Sequence, residues 1–151
     1  MTDDGNPAGG RSFALIRGTR IVEVHVRRLA DLEEVAALKV QVGAAIRRAG
    51  SGAVICADHR FGSPLSSEVA DAWSCVMRKN DGHVVRRGLL LDPSNAMYNL
   101  QLERVVRCAG NDSRRFFTGI DELRDWVGEV LSASERGALD DLFAGAVELA
   151  S

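Results

Sequence analysis

Residues 53–57, AVICA, are the most restrictive stretch of the chain: a purely apolar run bounded by Gly52 on one side and by Asp58-His59-Arg60 on the other. A run this short with no polar position reads as a strand buried on both faces. Helical periodicity flanks it. Upstream, Asp31 and Glu34 form a capping-box pattern, and Leu32, Val35, Leu38, Val42, Ala45, Ile46 and Ala49 recur at helical spacing until Gly50, which predicts a helix over 32–49. Downstream, Val69, Ala72, Trp73, Val76 and Met77 mark the apolar stripe of a second helix that stops near KNDG, residues 79–82. Ser63 precedes Pro64, and proline suits the first helical position, so Ser63 reads as the N-cap of that helix. The chain must therefore set a central strand between layers of helix.

The other elements follow by the same periodicities. Residues 13–17 are largely apolar, RGTR follows, and IVEVHV alternates with Val22, Val24 and Val26 on one face and Glu23 and His25 on the other. This is a hairpin, with Gly18 in its turn and His25 expected on the more exposed face. HVVRRGLLL, residues 83–91, is the next strand. A third helix follows Pro93 and Ser94, burying Tyr98, Leu102, Val105, Val106 and Ala109 and stopping at Gly110. RRFFT, residues 114–118, is a short closing strand. Ile120, Leu123, Trp126, Val127, Val130 and Leu131 define a fourth helix. Ser132 and Glu135 then form a second capping box, opening a last helix with Leu139, Leu142, Phe143 and Val147 inward. The order β-β-α-β-α-β-α-β-α-α predicts an α/β fold whose mixed sheet of about five strands begins with an antiparallel hairpin and continues with parallel strands joined by right-handed crossovers and packed on helices.

Composition agrees with one domain. The 151 residues are 46% hydrophobic but only 5% aromatic, so the core rests on Val, Leu, Ile and Ala. Residues 1–11 read as a disordered leader, 12–131 as the domain, and 132–151 as a C-terminal helix packed on it. The opening MTDDGNPAGGRS has no signal-peptide pattern, and no apolar run reaches the roughly 18–20 residues that span a bilayer, so a cytoplasmic protein without membrane insertion is expected. Residues 118–151 carry eight acids against two arginines, on a mildly basic body. Nucleic-acid binding is not expected, since that takes a dense basic stripe. Cys56, Cys75 and Cys108 are widely spaced and read as reduced core thiols; with no C-x-x-C pair or His-rich tract, neither a metal nor a cofactor is expected.

The element order, VICAD at the third strand, and RRFFTGIDELRDWV at residues 114–127 together resemble the STAS family. That family includes anti-sigma factor antagonists and the cytoplasmic tails of sulfate transporters, and the chain is most similar to the small stand-alone bacterial members. The likeness covers residues 12–131. In anti-sigma antagonists the loop after the third strand carries an Asp-Ser pair whose serine is phosphorylated by a partner kinase. Asp58 matches the acid, but His59 stands where the serine would be, so the phosphorylated group does not carry over. The nearest hydroxyls, Ser63, Ser66 and Ser67, are the candidate phosphosites, although an N-cap role for Ser63 needs no phosphate.

Asp58 ends a strand where open α/β sheets gather ligands. A phosphoryl-accepting receiver would also need an acidic pair after its first strand and a lysine after its last, and the only lysines are Lys39 and Lys79. No G-x-S-x-G or phosphate-binding glycine loop is present. Asp58-His59-Arg60 reads as a hydrogen-bonded loop, with Asp58 paired to Arg60 or to backbone amides, as a binding site for a partner or small ligand, or, least of the three, as a catalytic site. The arginine doublets at 27–28, 47–48, 86–87 and 114–115 read as solvated or salt-bridged; Arg86 or Arg87 with Arg114 or Arg115 would flank an anion if their strands were adjacent. The expected function is that of a non-enzymatic regulatory or assembly protein that binds a protein partner through Asp58, His59, Arg60, Ser63 and Ser66. The alternative is a lipid- or anion-binding domain, marked by an apolar pocket beneath the second helix. Self-association is left open.

Overall fold

The computed structural model describes residues 10–79, 83–110 and 113–150, with side chains up to Leu142 in the last helix. Five strands, β1 (Phe13–Arg17), β2 (Ile21–His25), β3 (Ala53–Asp58), β4 (Val84–Leu90) and β5 (Arg114–Phe117), lie side by side in chain order. β1 and β2 are antiparallel; every later pairing is parallel. Helices α1 (Leu32–Ala49), α2 (Ser67–Lys79) and α3 (Ala96–Ala109) are the crossovers, and α4 (Ile120–Gly128) and α5 (Ala133–Ala150) follow the last strand.

Because each right-handed crossover steps in the same direction across the sheet, all three crossover helices fall on one face. Their core joins Val35, Leu38, Val69, Trp73, Tyr98 and Leu102 to Val22, Val24, Ala57 and Leu89 of the sheet. The opposite face is closed by α4 and α5, whose Leu123, Val127, Leu139 and Leu142 pack on Ile21, Val54, Cys56 and Leu90. β3 is thus sandwiched between helices, as AVICA requires.

The helix ends follow the local rules. Asp31 accepts from the Glu34 amide at 2.9 Å. Ser132 and Glu135 cap reciprocally: Glu135 Oε1 accepts from the Ser132 amide at 2.7 Å, and Ser132 Oγ from the Glu135 amide at 3.3 Å. Gly50 and Gly110 end α1 and α3 with φ of 73° and 68°, a left-handed conformation that L side chains resist.

Three expectations are corrected. His25 is buried, because α5 covers the face on which Glu23 and His25 lie. α2 begins at Ser67 rather than at Pro64, and its cap is Ser66, whose Oγ accepts from the Val69 amide at 3.2 Å. Ser63 is not the cap, because Gln101 of α3 holds Leu65 at both its amide (2.8 Å) and its carbonyl (2.9 Å), which keeps residues 63–65 out of the helix. Of the cysteines only Cys56 is in the core; Cys75 of α2 and Cys108 of α3 are exposed. The leader, apart from residues 10 and 11, and the inward positions assigned to Phe143 and Val147 lie outside the described residues.

Candidate functional site

Asp58 and His59 are neighbours in sequence and point to opposite faces of the sheet, as the two-residue period of an extended chain requires. Asp58 lies on the α4/α5 face. Arg60 folds back on it: Arg60 Nε and Nη2 donate to Asp58 Oδ1 and Oδ2 at 3.0 and 2.9 Å, and the Arg60 amide donates to Oδ1 at 3.1 Å. The pairing of Asp58 with Arg60 expected of a hydrogen-bonded loop is present. Asp58 continues a string of titratable side chains along this face. His25 Nδ1 is 3.8 Å from Asp58 Oδ2, His25 Nε2 shares a 2.5 Å hydrogen bond with Glu23, and Arg17 Nε donates to Glu23 at 2.7 Å. Phe13 stacks on the His25 ring at 4.6 Å. Burial pushes the Asp58 and Glu23 carboxyls up, but the opposing pull of Arg60 on Asp58, and of His25 and Arg17 on Glu23, is greater in sum and leaves both below their ordinary values.

This string has no room for a substrate. Beneath Leu123 and Leu142 the void beside Glu23, His25, Cys56 and Asp58 is about 10 Å³, the space of one water at most. Burial pushes the Cys56 thiol up to about 12, so at neutral pH it is a thiol and no nucleophile.

On the other face His59 is 1% exposed. Its Nδ1 shares a 2.8 Å hydrogen bond with Tyr98 Oη, and its amide donates to the Leu90 carbonyl at 2.9 Å. Burial lowers its pKa to about 4, so the ring is neutral. Gly62 lies against the Tyr98 ring, where a Cβ would overlap the aromatic carbons, and Asn95 Nδ2 donates to the Gly62 carbonyl at 2.8 Å. The inner half of the loop is thereby tied to β4 and α3.

Beneath α2, next to His59, lies a cavity of about 50 Å³ between the helix and β2, β3 and β4, lined chiefly by apolar side chains. Trp73 lines it, is 4% exposed, and its indole Nε1 is buried without a hydrogen-bond partner. Arg87 and Arg114 also line it and stand opposite each other in the β4–β5 register. The strand adjacency required for an anion site is therefore present: Arg87 and Arg114 share the α2 side, and Arg86 and Arg115 both lie over the Trp126 ring on the other. Arg86 instead lies on the α4 face, bonded to the Trp126 carbonyl and Glu129. An engineered cavity that takes benzene measures about 150 Å³, so the space beneath α2 is too small for a lipid chain.

The outer half of the loop carries the exposed residues: Ser63 is partly buried, Pro64, Ser66 and Ser67 are exposed. Ser66 and Ser67 border a groove of about 150 Å³ between α2 and α3, with Asp71 on their own side and Gln101 and Arg104 across it. On α3, Met97 and Leu100 are 67% and 68% exposed. Met97 lies one turn before Gln101, and Leu100 one turn before Arg104.

Of the residues expected to contact a partner, Asp58, His59 and Arg60 are therefore internal ties, while Ser63 and Ser66 stay near the surface. Sequence reasoning gave Glu23, Tyr98 and Trp73 no part in the site. Glu23 carried a signal, because a carboxylate and an imidazole two residues apart on one strand share a face. Compared with known proteins, the chain matches no family model, no curated protein and no solved structure.

Proposed function

We propose that the chain is a STAS-like regulatory or assembly protein of the cytoplasm that works by binding another protein, through the rim formed by residues 63–67 and the adjoining edge of α3. The element order supports the family reading. The observation that carries the binding reading is the division of the loop into two halves. Asp58, His59, Arg60 and Gly62 are tied inward, so the segment after them is displayed from a rigid base beside two large exposed apolar side chains, Met97 and Leu100. Such a surface binds with little ordering loss, and apolar side chains on successive turns supply its desolvated centre. Among the described residues no helix is long and apolar enough to cross a membrane.

The test compares partner capture by the native chain with capture by Met97→Asp/Leu100→Asp, both checked for unchanged melting. A protein held stoichiometrically by the first and lost from the second is the expected result. A partner retained by both, but lost when the acidic face of α5 is neutralised at Asp140 and Asp141, would move the binding surface to the last helix and overturn the assignment.

A further inference from the structure

The sheet has two edges, and they are finished differently. On β1 the outward Ala14 N–H is taken by Gln41 Oε1 of α1 at 2.8 Å. β5 carries no such cap. In its parallel ladder the Arg87 amide donates to the Ser113 carbonyl at 2.9 Å and the Leu91 amide to the Phe117 carbonyl at 2.8 Å. The odd-numbered residues of β5 therefore turn their backbone groups toward β4, and Phe116 turns its own away from the sheet. Among the described residues nothing accepts from the Phe116 N–H or donates to its carbonyl. An open edge of this kind is a template for another strand. The side chains are sorted as well. Phe116 lies with Arg114 on the α2 face; Phe117 lies with Arg115 on the α4 face, where the Arg115 guanidinium is 5.6 Å from the Trp126 ring and 5.9 Å from that of Phe117. Arg115 and Thr118 are exposed.

We propose that β5 is a self-association edge, which pairs antiparallel with β5 of a second copy of this chain about a two-fold axis at Phe116 and joins the two five-stranded sheets into one. Opposite residues of an antiparallel pair share a face, so only registers that oppose residues of like parity are open to it. With Phe116 opposite its counterpart, the two outward amides and carbonyls exchange hydrogen bonds. Arg115 then stands opposite the second copy's Phe117, and Arg114 opposite its Thr118, so each cation meets an aromatic ring or a hydroxyl. The register centred on Arg115 sets that arginine against itself, and like charges directly opposite are destabilising. The register centred on Phe117 opposes Arg114 with Ile120, where the extended chain has already turned into α4. This self-complementarity favours a second copy over an unrelated strand, and such an isologous contact closes at two chains. β5 has four residues, so the contact is small and the dimer weak and concentration-dependent. The edge shares no residue with the rim proposed to bind protein, and either assignment can fail without the other.

The test follows the ¹⁵N-labelled full chain by NMR and by sedimentation over roughly 20 µM to 1 mM. A reversible monomer–dimer equilibrium is expected. The Phe116 amide should shift saturably and exchange more slowly with solvent as the dimer forms, while the Arg115 and Phe117 amides, which face β4, are protected throughout. Phe116→Leu and Phe116→Pro both remove the ring. Only proline also removes the outward donor, and an edge strand tolerates it where the lost N–H faces solvent. The dimer of Phe116→Pro is expected to be at least about tenfold weaker than that of Phe116→Leu. If Phe116→Pro does not melt cooperatively, the Phe116 amide of the native chain decides alone. A chain that stays monomeric at the top of the range overturns the proposal, even one that takes up an extended peptide at β5. So does a dimer whose Phe116 amide neither shifts nor gains protection, assembly beyond two chains, or equal association of two folded variants.

Discussion

His59 Nδ1 lies 2.8 Å from Tyr98 Oη, and this bond ties the residue just after β3 to the helix that follows β4. Both groups are buried, so the pair is stable only while the imidazole is uncharged. The unfolded chain protonates His59 near 6.5, the folded one only near 4. Between those values the unfolded state takes up a proton that the folded state does not, so stability falls as the pH falls, by on the order of 3 kcal/mol across the window. Urea unfolding between pH 7 and pH 4 should show this loss in the native chain and a shallower one in His59→Gln. Equal slopes would reject the assignment.

Asp58 and Arg60 respond in the opposite sense to charge removal. With Arg60 gone, Asp58 remains buried without its main counter-charge, so Arg60→Ala should lose about 3 kcal/mol. Asp58→Asn combined with Arg60→Met removes both charges and should lose less than the sum of the separate changes. A strictly additive double-mutant cycle in chemical denaturation would show that the pair is not coupled.

Acid should expose the same string. The Asp58 and Glu23 carboxyls lie below their ordinary values, so their contribution is fully present above about pH 4 and is lost as the pH falls through the lowered folded values. In Arg60→Ala the depression of Asp58 should shrink, which carbon-detected titration of the Asp58 carboxyl would register as a rise.

Gly62 faces the Tyr98 ring with no room for a methyl group. Gly62→Ala should destabilise by about 1–3 kcal/mol, the range for overpacking. In a Tyr98→Leu background the added penalty should mostly vanish, because the overlapping ring is gone. Thermal melts of the four proteins suffice.

The three thiols should separate by environment. Cys75 and Cys108 are exposed, whereas Cys56 is buried with its pKa pushed up to about 12. A thiol reagent at neutral pH should label two sites in the folded protein and the third only after denaturation. Rapid labelling of Cys56 under native conditions would place it outside the core.

Much of this arrangement is legible in the sequence, because its signals are local. The limits of α1 follow from the Asp31 cap and Gly50, and the Ser132–Glu135 box is visible as a pattern. The shared side of the three crossover helices follows from the handedness of crossovers once the strands lie in chain order. Side-chain placement on β2 is not local: Glu23 and His25 alternate with valines as they would on a wet face, and only the docking of α5, more than a hundred residues later, makes that face dry. The start of α2 fails for a related reason, since Ser63-Pro64 permits a helix that Gln101 prevents. The exposure of Cys75 and Cys108, by contrast, can be read in advance, because both fall off the apolar stripes of their helices. The cavity beneath α2 is illegible, as a void is a property of several elements packed together.

The sheet grows strand by strand in the order of synthesis, yet one of its sides waits for the final two helices. A ribosome-bound chain released only as far as β5 would present Ile21, Val54, Cys56 and Leu90 to water, with a buried-type carboxylate and imidazole beside them. The nascent protein is thus most adhesive before α4 and α5 emerge, and truncation ahead of α4 should convert it into a client for chaperones or an aggregate rather than a slightly weaker version of itself.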